Sequence, residues 1–198
     1  LIVFTNSQRV WRQNTRGDFW TYELASGRLQ QLGTGFEPSS LMFAKLSPDG
    51  LKAAYVVKNN IYVEDLASGQ ATQLTFDGAK DIINGTSDWV NEEEFSMRDG
   101  FRWSPDSRSI AFCQFDTHDV PVFTMINNTD TLYPKVTAFK HPKPGQINSA
   151  VRVGVVPAAG GSPVWIKTPG DPRNTYIARL EWAGNSREVI LQHLNRLQ

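Results

Sequence analysis

Apolar and polar residues alternate with a period of two over most of this chain. The alternating stretches are short, rich in β-branched and aromatic side chains, and separated by clusters of Gly, Pro, Asn and Asp. Successive side chains of a strand point to opposite faces, so the pattern predicts strands and, with so many of them, an all-β fold. Examples are FWTYE (Phe19 to Glu23), NIYVED (Asn60 to Asp65), PVFTMINN (Pro121 to Asn128) and AVRVGVV (Ala150 to Val156). Helical periodicity is nearly absent. The exception is DWVNEEEF, Asp88 to Phe95, where the residues predict a short helix around Asn91 to Met97. Asn91 would be its N-cap, with Glu92, Glu93 and Glu94 in the first turn and Glu94 at the capping-box position.

The stretches repeat. LASGRLQQL (Leu24 to Leu32) and LASGQATQL (Leu66 to Leu74) agree at six of nine positions, 42 residues apart, each after an aromatic-rich alternating run. FAKLSPDGLKAAYVV (Phe43 to Val57) and FRWSPDSRSIAFCQF (Phe101 to Phe115) share an aromatic residue, a Ser-Pro-Asp turn and a following strand. Pro fixes φ and the Asp side chain bonds its own backbone, which makes the turn tight. YIARLEWAGNSREVILQHL (Tyr176 to Leu194) is a degenerate third copy, with Ala183-Gly184-Asn185 in place of the Pro turn. A period near 40 residues with several strands per repeat predicts propeller blades. The reading is a β-propeller segment of about four blades, with the acidic helix as an insertion that stretches the interval between Ser-Pro-Asp turns to 57 residues. A second long interval, Ser107 to Ala183, holds further strands and a Pro-rich loop at Pro142 to Gly145. Insertions fall on loops at one face of such folds, where function collects. Trp20, Trp103 and Trp182 are read as inter-blade core.

Composition narrows the function. Of 198 residues, Lys plus Arg and Asp plus Glu each count 20, so no net field draws nucleic acid or an anionic membrane. The apolar runs fall far short of the roughly 18 residues a membrane span needs. Cys113, the only cysteine, lies inside IAFCQF and reads as core. His118, His141 and His193 lack metal-ligand spacing, and Gly33-x-Gly35 lacks the strand, helix and third Gly of a dinucleotide site, so neither a metal nor a cofactor is expected. NGT at Asn84 and NNT at Asn127 are glycan acceptors only in a secreted eukaryotic protein. The chain opens at Leu1 and ends at LNRLQ without a cap, the ends expected of a piece of something longer.

The acidic cluster has two physical explanations. Three adjacent carboxylates repel unless water, a helix terminus or a cation balances them, so the cluster is either a solvated helix start or a cation site. A compact cation with several donors needs several acceptors, and adjacent side chains converge on it only where the backbone is turned.

DWVNEEEF, then FRWSPDS, AFCQFDTHDVP (Ala111 to Pro121), LYPK (Leu132 to Lys135) and HPKPGQINSAVRVGVV (His141 to Val156) resemble, in that order and spacing, the N-terminal propeller of the dipeptidyl peptidase IV family. The likeness runs from VWRQN near Val10 to the end. It implies part of an eight-bladed propeller whose polypeptide continues into an α/β-hydrolase domain with a serine nucleophile. It also implies a parent enzyme that removes Xaa-Pro or Xaa-Ala dipeptides from peptide N-termini. No Gly-x-Ser-x-Gly elbow occurs here, since GTSDW (Gly85 to Trp89) lacks the closing Gly, so residues 1–198 are read as propeller only, with no catalytic residue and no peptidase activity alone. The family's paired glutamates, which receive the substrate's α-ammonium group, map onto Glu93 and Glu94. Its carbonyl-binding arginine maps onto Arg12, with Arg9 and Arg16 nearby. Two departures stand out: Asn91 replaces a frequent Tyr, and Glu94 to Trp103 is one residue shorter than in the animal enzymes.

The expected partners are a peptide with a free N-terminus, the α/β-hydrolase domain and a second copy in a homo-oligomer, and the resemblance favours a periplasmic or secreted location. The competing reading is a non-enzymatic propeller scaffold of the Tol-system kind, which shares the blade grammar but needs no acidic insertion. The peptidase reading predicts that Arg12, Glu93 and Glu94 converge on one open cavity near the propeller axis or a side mouth.

Overall fold

In the computed structural model, which describes residues 1–197, the chain is built almost wholly of antiparallel strands. Strands β1 (Ile2–Arg9), β2 (Asn14–Tyr22) and β3 (Leu29–Gln31) open the fold. They are followed by a four-stranded blade of β4 (Leu41–Leu46), β5 (Lys52–Val57), β6 (Asn60–Asp65) and β7 (Ala71–Gln73). The two groups share one ladder, because β2 also pairs with β4 at Arg16 with Met42 and Gly17 with Leu41. The next blade holds β8 (Ile82–Asn84), β9 (Phe101–Trp103), β10 (Ser109–Asp116), β13 (Ala150–Pro157) and β14 (Val164–Ile166). Between β10 and β13 the chain leaves as a hairpin, β11 (Val122–Asn127) with β12 (Lys135–Lys140). A last hairpin, β15 (Thr175–Trp182) with β16 (Val189–Asn195), begins another blade. Two complete blades, three strands before them and two after, make up the propeller segment.

The repeats seen in the sequence become repeated contacts. Both Ala-Ser-Gly turns close alike: Gly27 N–H donates to Glu23 O and Gly69 N–H to Asp65 O, with φ of 73° and 71° at the two glycines. In the Ser-Pro-Asp turns Ser47 Oγ donates to Asp49 Oδ1 and Ser104 Oγ to Asp106 Oδ1. Neighbouring blades are then stitched twice by one device. Trp103 Nε1 donates to Lys45 O and Trp182 Nε1 to Arg102 O, both at 3.2 Å, while Asp49 N–H donates to Ser107 Oγ and Asp106 N–H to Ser186 Oγ, both at 3.0 Å. The degenerate third copy therefore keeps the stitch although it lacks the proline.

Sheets stacked face to face bury their middle strands on both sides, which explains the continuous apolar runs. In β5, Ala53, Tyr55 and Val57 pack toward Phe19, Leu32 and Leu41, while Ala54 and Val56 pack toward Phe101, Ile110 and Phe112. In β10, Ile110 and Phe112 face one core, whereas Ala111, Cys113 and Phe115 face Val153, Ile177 and Leu180 across the next interface. Burial pushes the Cys113 thiol up to about 12, so it is an inert core group. Trp103 and Trp182 pack against these cores as expected. Trp20 does not: it lies outside the clusters and donates Nε1 to Thr5 Oγ1, because β1 covers β2 on that edge.

The first and last strands have no further blade beside them in this chain. Phe4 in β1 and Ile190 in β16 are 39% and 60% exposed. The 198-residue chain alone is therefore expected to self-associate through these faces, giving a molar mass that rises with concentration in sedimentation or light scattering. A stable, monodisperse monomer would contradict that expectation.

Candidate functional site

The site begins with an interrupted strand. β8 pairs with Gln114 to Asp116 and β9 with Ile110 to Phe112, so both lie along the same edge of β10 and form one strand cut in two. The excursion between them, residues 85–100, is pinned at its neck by the bridge between Thr86 and Asp99 and carries the short helix α1 (Trp89–Phe95).

The helix starts earlier than its sequence suggests. Its N-cap is Asp88, not Asn91: Asp88 Oδ1 accepts from Asn91 N–H at 2.9 Å and from Asn91 Nδ2 at 2.7 Å. Its other oxygen accepts from Ser149 Oγ at 2.5 Å, a residue of the loop before β13. Asp88, Asn91 and Ser149 are all buried, so this polar knot fixes the helix to the blade beneath it. At the far end Ser96 adopts φ of 54° and Arg179 of β15 donates Nη1 to Phe95 O at 2.7 Å, supplying the cation that the last turn lacks.

Moving the cap to Asp88 changes what the glutamates can be. Only Glu92 lies in the first turn. Glu93 and Glu94 fall in the last turn, where the macrodipole disfavours negative charge by about 0.3–1 kcal/mol each at an exposed position. The capping explanation therefore fails for both.

Arg12 reaches this helix from the tight turn between β1 and β2, closed by Val10 N–H donating to Gln13 O. Its Nε lies 2.5 Å from Glu93 Oε2. Neighbouring aromatics set the approach: Trp11 and Trp89 both pack on Phe139 of β12, with ring centroids 5.9 and 5.8 Å away, and Trp89 meets His141 edge-on at 4.4 Å. The hairpin thus clamps the Arg12 turn and the start of α1 together. Burial pushes the Glu92 carboxyl above its ordinary range, opposed by Arg98 and the Arg12 backbone amide and reinforced by Glu93.

Glu94 points elsewhere. Residues adjacent on a helix are separated by about 100° of rotation. Glu94 lines a cavity of about 320 Å³ with Val90, one turn earlier, and with His141, Asn148, Tyr176 and Arg196, and neither Arg12 nor Glu93 is on its wall. The three predicted residues therefore share one helix-and-turn junction, but not one cavity. Glu94 is exposed and, among the described residues, makes no ion pair. Arg12 faces Glu93 and Arg98 acts on Glu92, while Lys143 and Arg196 line the Glu94 cavity without an ion pair to its carboxylate among the described residues. Chemically, the Glu94 carboxylate remains an unpaired acceptor, and Arg12, engaged through Nε, has no acceptor on either Nη group among the described residues, which leaves both for a carbonyl oxygen.

Sequence reading missed Asp88, Ser149 and Phe139, whose roles depend on contacts between distant segments. The other two histidines lie elsewhere in the fold: His118 pairs with Asp116 at 2.6 Å, and His193 lies on β16. Gly33 N–H is taken by the buried carboxylate of Glu64, and Asn84 is fully buried, which removes it as a glycan acceptor.

Comparison with known proteins places the chain in a family. Porphyromonas gingivalis dipeptidyl peptidase 4 superposes on the whole chain with a TM-score of 0.90 and 31% identity, over 28% of its own length. The human protein named prolyl endopeptidase FAP is 32% identical over 199 residues, covering 96% of this chain and 26% of that protein. A rat relative named inactive dipeptidyl peptidase 10 is 30% identical over 204 residues, covering 100% of this chain and 26% of its own. The chain spans about a quarter of the length of these curated relatives. The model of the dipeptidyl peptidase IV N-terminal region matches residues 1–198, and the chain belongs to that family.

Proposed function

We propose that this chain is the amine-anchoring and substrate-gating part of the N-terminal propeller of a dipeptidyl peptidase IV-type serine exopeptidase. In this reading the polypeptide carries its catalytic α/β-hydrolase domain outside residues 1–198 and releases Xaa-Pro or Xaa-Ala dipeptides from peptide N-termini. The observation that carries the proposal is the exposed Glu94 carboxylate, without an ion-pair partner among the described residues, next in sequence to the Arg12–Glu93 pair on a helix where capping explains neither acid. The substrate α-ammonium group is bound with the Glu94 carboxylate turned from its own cavity toward Glu93, so that both acids reach one amine, and the Arg12 Nη groups donate to the carbonyl oxygen of the first or second residue. Glu93 works twice, as acceptor and as the group that holds Arg12 by its Nε. Fixing the amine sets a ruler. Two extended residues span roughly 7 Å, so a nucleophile held at that distance cuts after the second residue and nowhere else.

A free amine is thus the recognition element, and blocking it is the test. The full-length protein is expected to hydrolyse Gly-Pro-p-nitroanilide at least about a hundredfold faster in kcat/KM than its N-acetyl derivative, the loss of one or two charge-assisted hydrogen bonds. Equal rates on the two substrates would overturn the amine anchor. The rat relative named inactive supports a second reading, a non-enzymatic family member that binds peptides through the same junction. Absence of hydrolysis with retained, amine-dependent peptide binding would select it. The family assignment leaves the Tol-system alternative without support.

A further inference from the structure

On the face of the β8–β14 sheet turned toward β4–β7, the register sets Asn84, Gln114 and Arg152 in one row across three strands. Asn84 and Gln114 are 0% and 4% exposed, so their polar atoms need partners within the protein. They find them in each other and in Asp77, from the loop after β7. Asn84 Nδ2 donates to Asp77 Oδ1 at 2.9 Å, and Gln114 Nε2 donates to Asp77 Oδ2 at 2.8 Å and to Asn84 Oδ1 at 2.7 Å. With Nε2 committed to two acceptors, the Gln114 amide has one orientation left, and its Oε1 accepts from Arg152 Nε at 2.7 Å.

Arg152 is held from a second direction. Its guanidinium lies over the Trp165 ring, 3.6 Å from the centroid. Trp165 in turn sits on Gly154, its partner across the ladder, where an added Cβ would come within 2.9 Å of the indole. A guanidinium fixed by an in-plane bond to a buried amide and by a stacked face has lost the freedom of an ordinary surface arginine. Among the described residues, no acceptor engages either of its Nη groups. Arg152 borders two cavities, of about 450 and 340 Å³, which share Asp77, Gln114 and Arg152. The larger is also lined by Leu74, Phe112, Trp165 and Phe76, the last 74% exposed. Both walls belong to complete four-stranded blades.

The geometry points to a binding site, separate from α1, for a monocarboxylate that carries an apolar or aromatic group. The carboxylate takes the two Nη groups of Arg152, and the apolar part lies against Trp165 and Phe76. Charge selects the monoanion: Arg152 and Asp77 are joined through Gln114 and sum to zero, so a phosphate dianion gains the same fork but brings a second negative charge next to Asp77. The free C-terminus of a peptide with an apolar last residue and a free aryl acid share this chemistry.

Saturation-transfer NMR titrations of the whole polypeptide that carries these residues test it, with four probes: N-acetyl-L-phenylalanine, 3-phenylpropionate, N-acetyl-L-phenylalaninamide and phenyl phosphate. Both carboxylates should bind saturably, with the amide and the phosphate ester weaker by about tenfold or more. Tighter binding of the capped amino acid identifies a peptide C-terminus as the source, and tighter binding of 3-phenylpropionate identifies a free acid. Arg152→Gln should weaken both carboxylates by about tenfold while the protein stays folded, and Arg152→Lys, which keeps the charge but not the fork, should fail to restore them. Glu94→Ala should leave this binding unchanged, which separates it from the amine anchor. The assignment is overturned by no saturable carboxylate binding, by equal binding of the amide, by tighter binding of the phosphate ester, or by unchanged affinity in Arg152→Gln.

Discussion

Replacing Glu93 or Glu94 by alanine in the full-length protein is expected to lower kcat/KM toward free-amine dipeptide substrates by about one to two orders of magnitude each, because each change removes a charge-assisted hydrogen bond worth roughly 1.5–3 kcal/mol. Glu93→Ala should be the more damaging, since it also releases the Nε of Arg12 and with it the donor aimed at the substrate carbonyl. The stability effect should have the opposite sign. Both residues lie in the last turn of α1, where alanine is the better helix former and removal of a negative charge relieves the dipole, so the variants should be as stable as the parent or gain up to about 1 kcal/mol. An N-terminal acidic cap would behave the other way, losing stability and keeping activity. Kinetics and thermal melts on the same two variants separate the explanations. Unchanged activity toward free-amine substrates in the Glu93→Ala/Glu94→Ala double variant would remove the amine-anchor assignment.

Blade architecture was legible because it is repetitive and local. The Ala-Ser-Gly and Ser-Pro-Asp turns each contain every atom that closes them, so residues such as Gly27, Gly69, Asp49 and Asp106 behave as their short motifs require. Even the divergent copy around Asn185 was readable, since its strands keep the period. Helix α1 was legible as a helix but not at its start. Asp88 and Asn91 are equally good caps by local chemistry, and the choice is made by Ser149, sixty-one residues away in sequence, whose hydroxyl occupies Asp88 Oδ2. The clamp of Trp11 and Trp89 on Phe139 depends likewise on a hairpin inserted from a later part of the chain. Trp20 was misplaced because an alternating run does not say whether its outer face meets another sheet or solvent, and here the neighbour is the edge strand β1. Glu93 and Glu94 were singled out through the resemblance. Their division of labour, one on Arg12 and one on a separate cavity, needed the helical rotation between them.

The knot at Asp88 gives the second large effect. Asp88→Ala removes the N-cap, worth about 1 kcal/mol, and leaves Ser149 Oγ and Asn91 Nδ2 without their acceptor in a buried setting, at roughly 1–3 kcal/mol each. The expected total is about 3 kcal/mol or more. It should be confined to the excursion, because β8 and β9 are held separately by β10, and the neck bridge between Thr86 and Asp99 does not involve Asp88. Local opening of residues 85–100 should therefore become about a hundredfold more frequent while the blades stay folded. In amide hydrogen exchange, Glu92, whose N–H bonds to Asp88 O, and Met97, whose N–H bonds to Asn91 O, should speed up together, whereas the ladder between β10 and β13, where Phe112 pairs with Gly154, should keep its protection. Peptidase activity should fall by the fraction of molecules in which the excursion is open, although Asp88 touches no substrate, since opening takes Glu93 off Arg12. Asp88→Asn keeps one side-chain acceptor of the original two and should fall between the parent and Asp88→Ala in both readouts. If exchange at Glu92 and Met97 were unchanged in Asp88→Ala, the buried knot would not be what positions the glutamates, and the helix would have to be held by Arg179 at its other end alone.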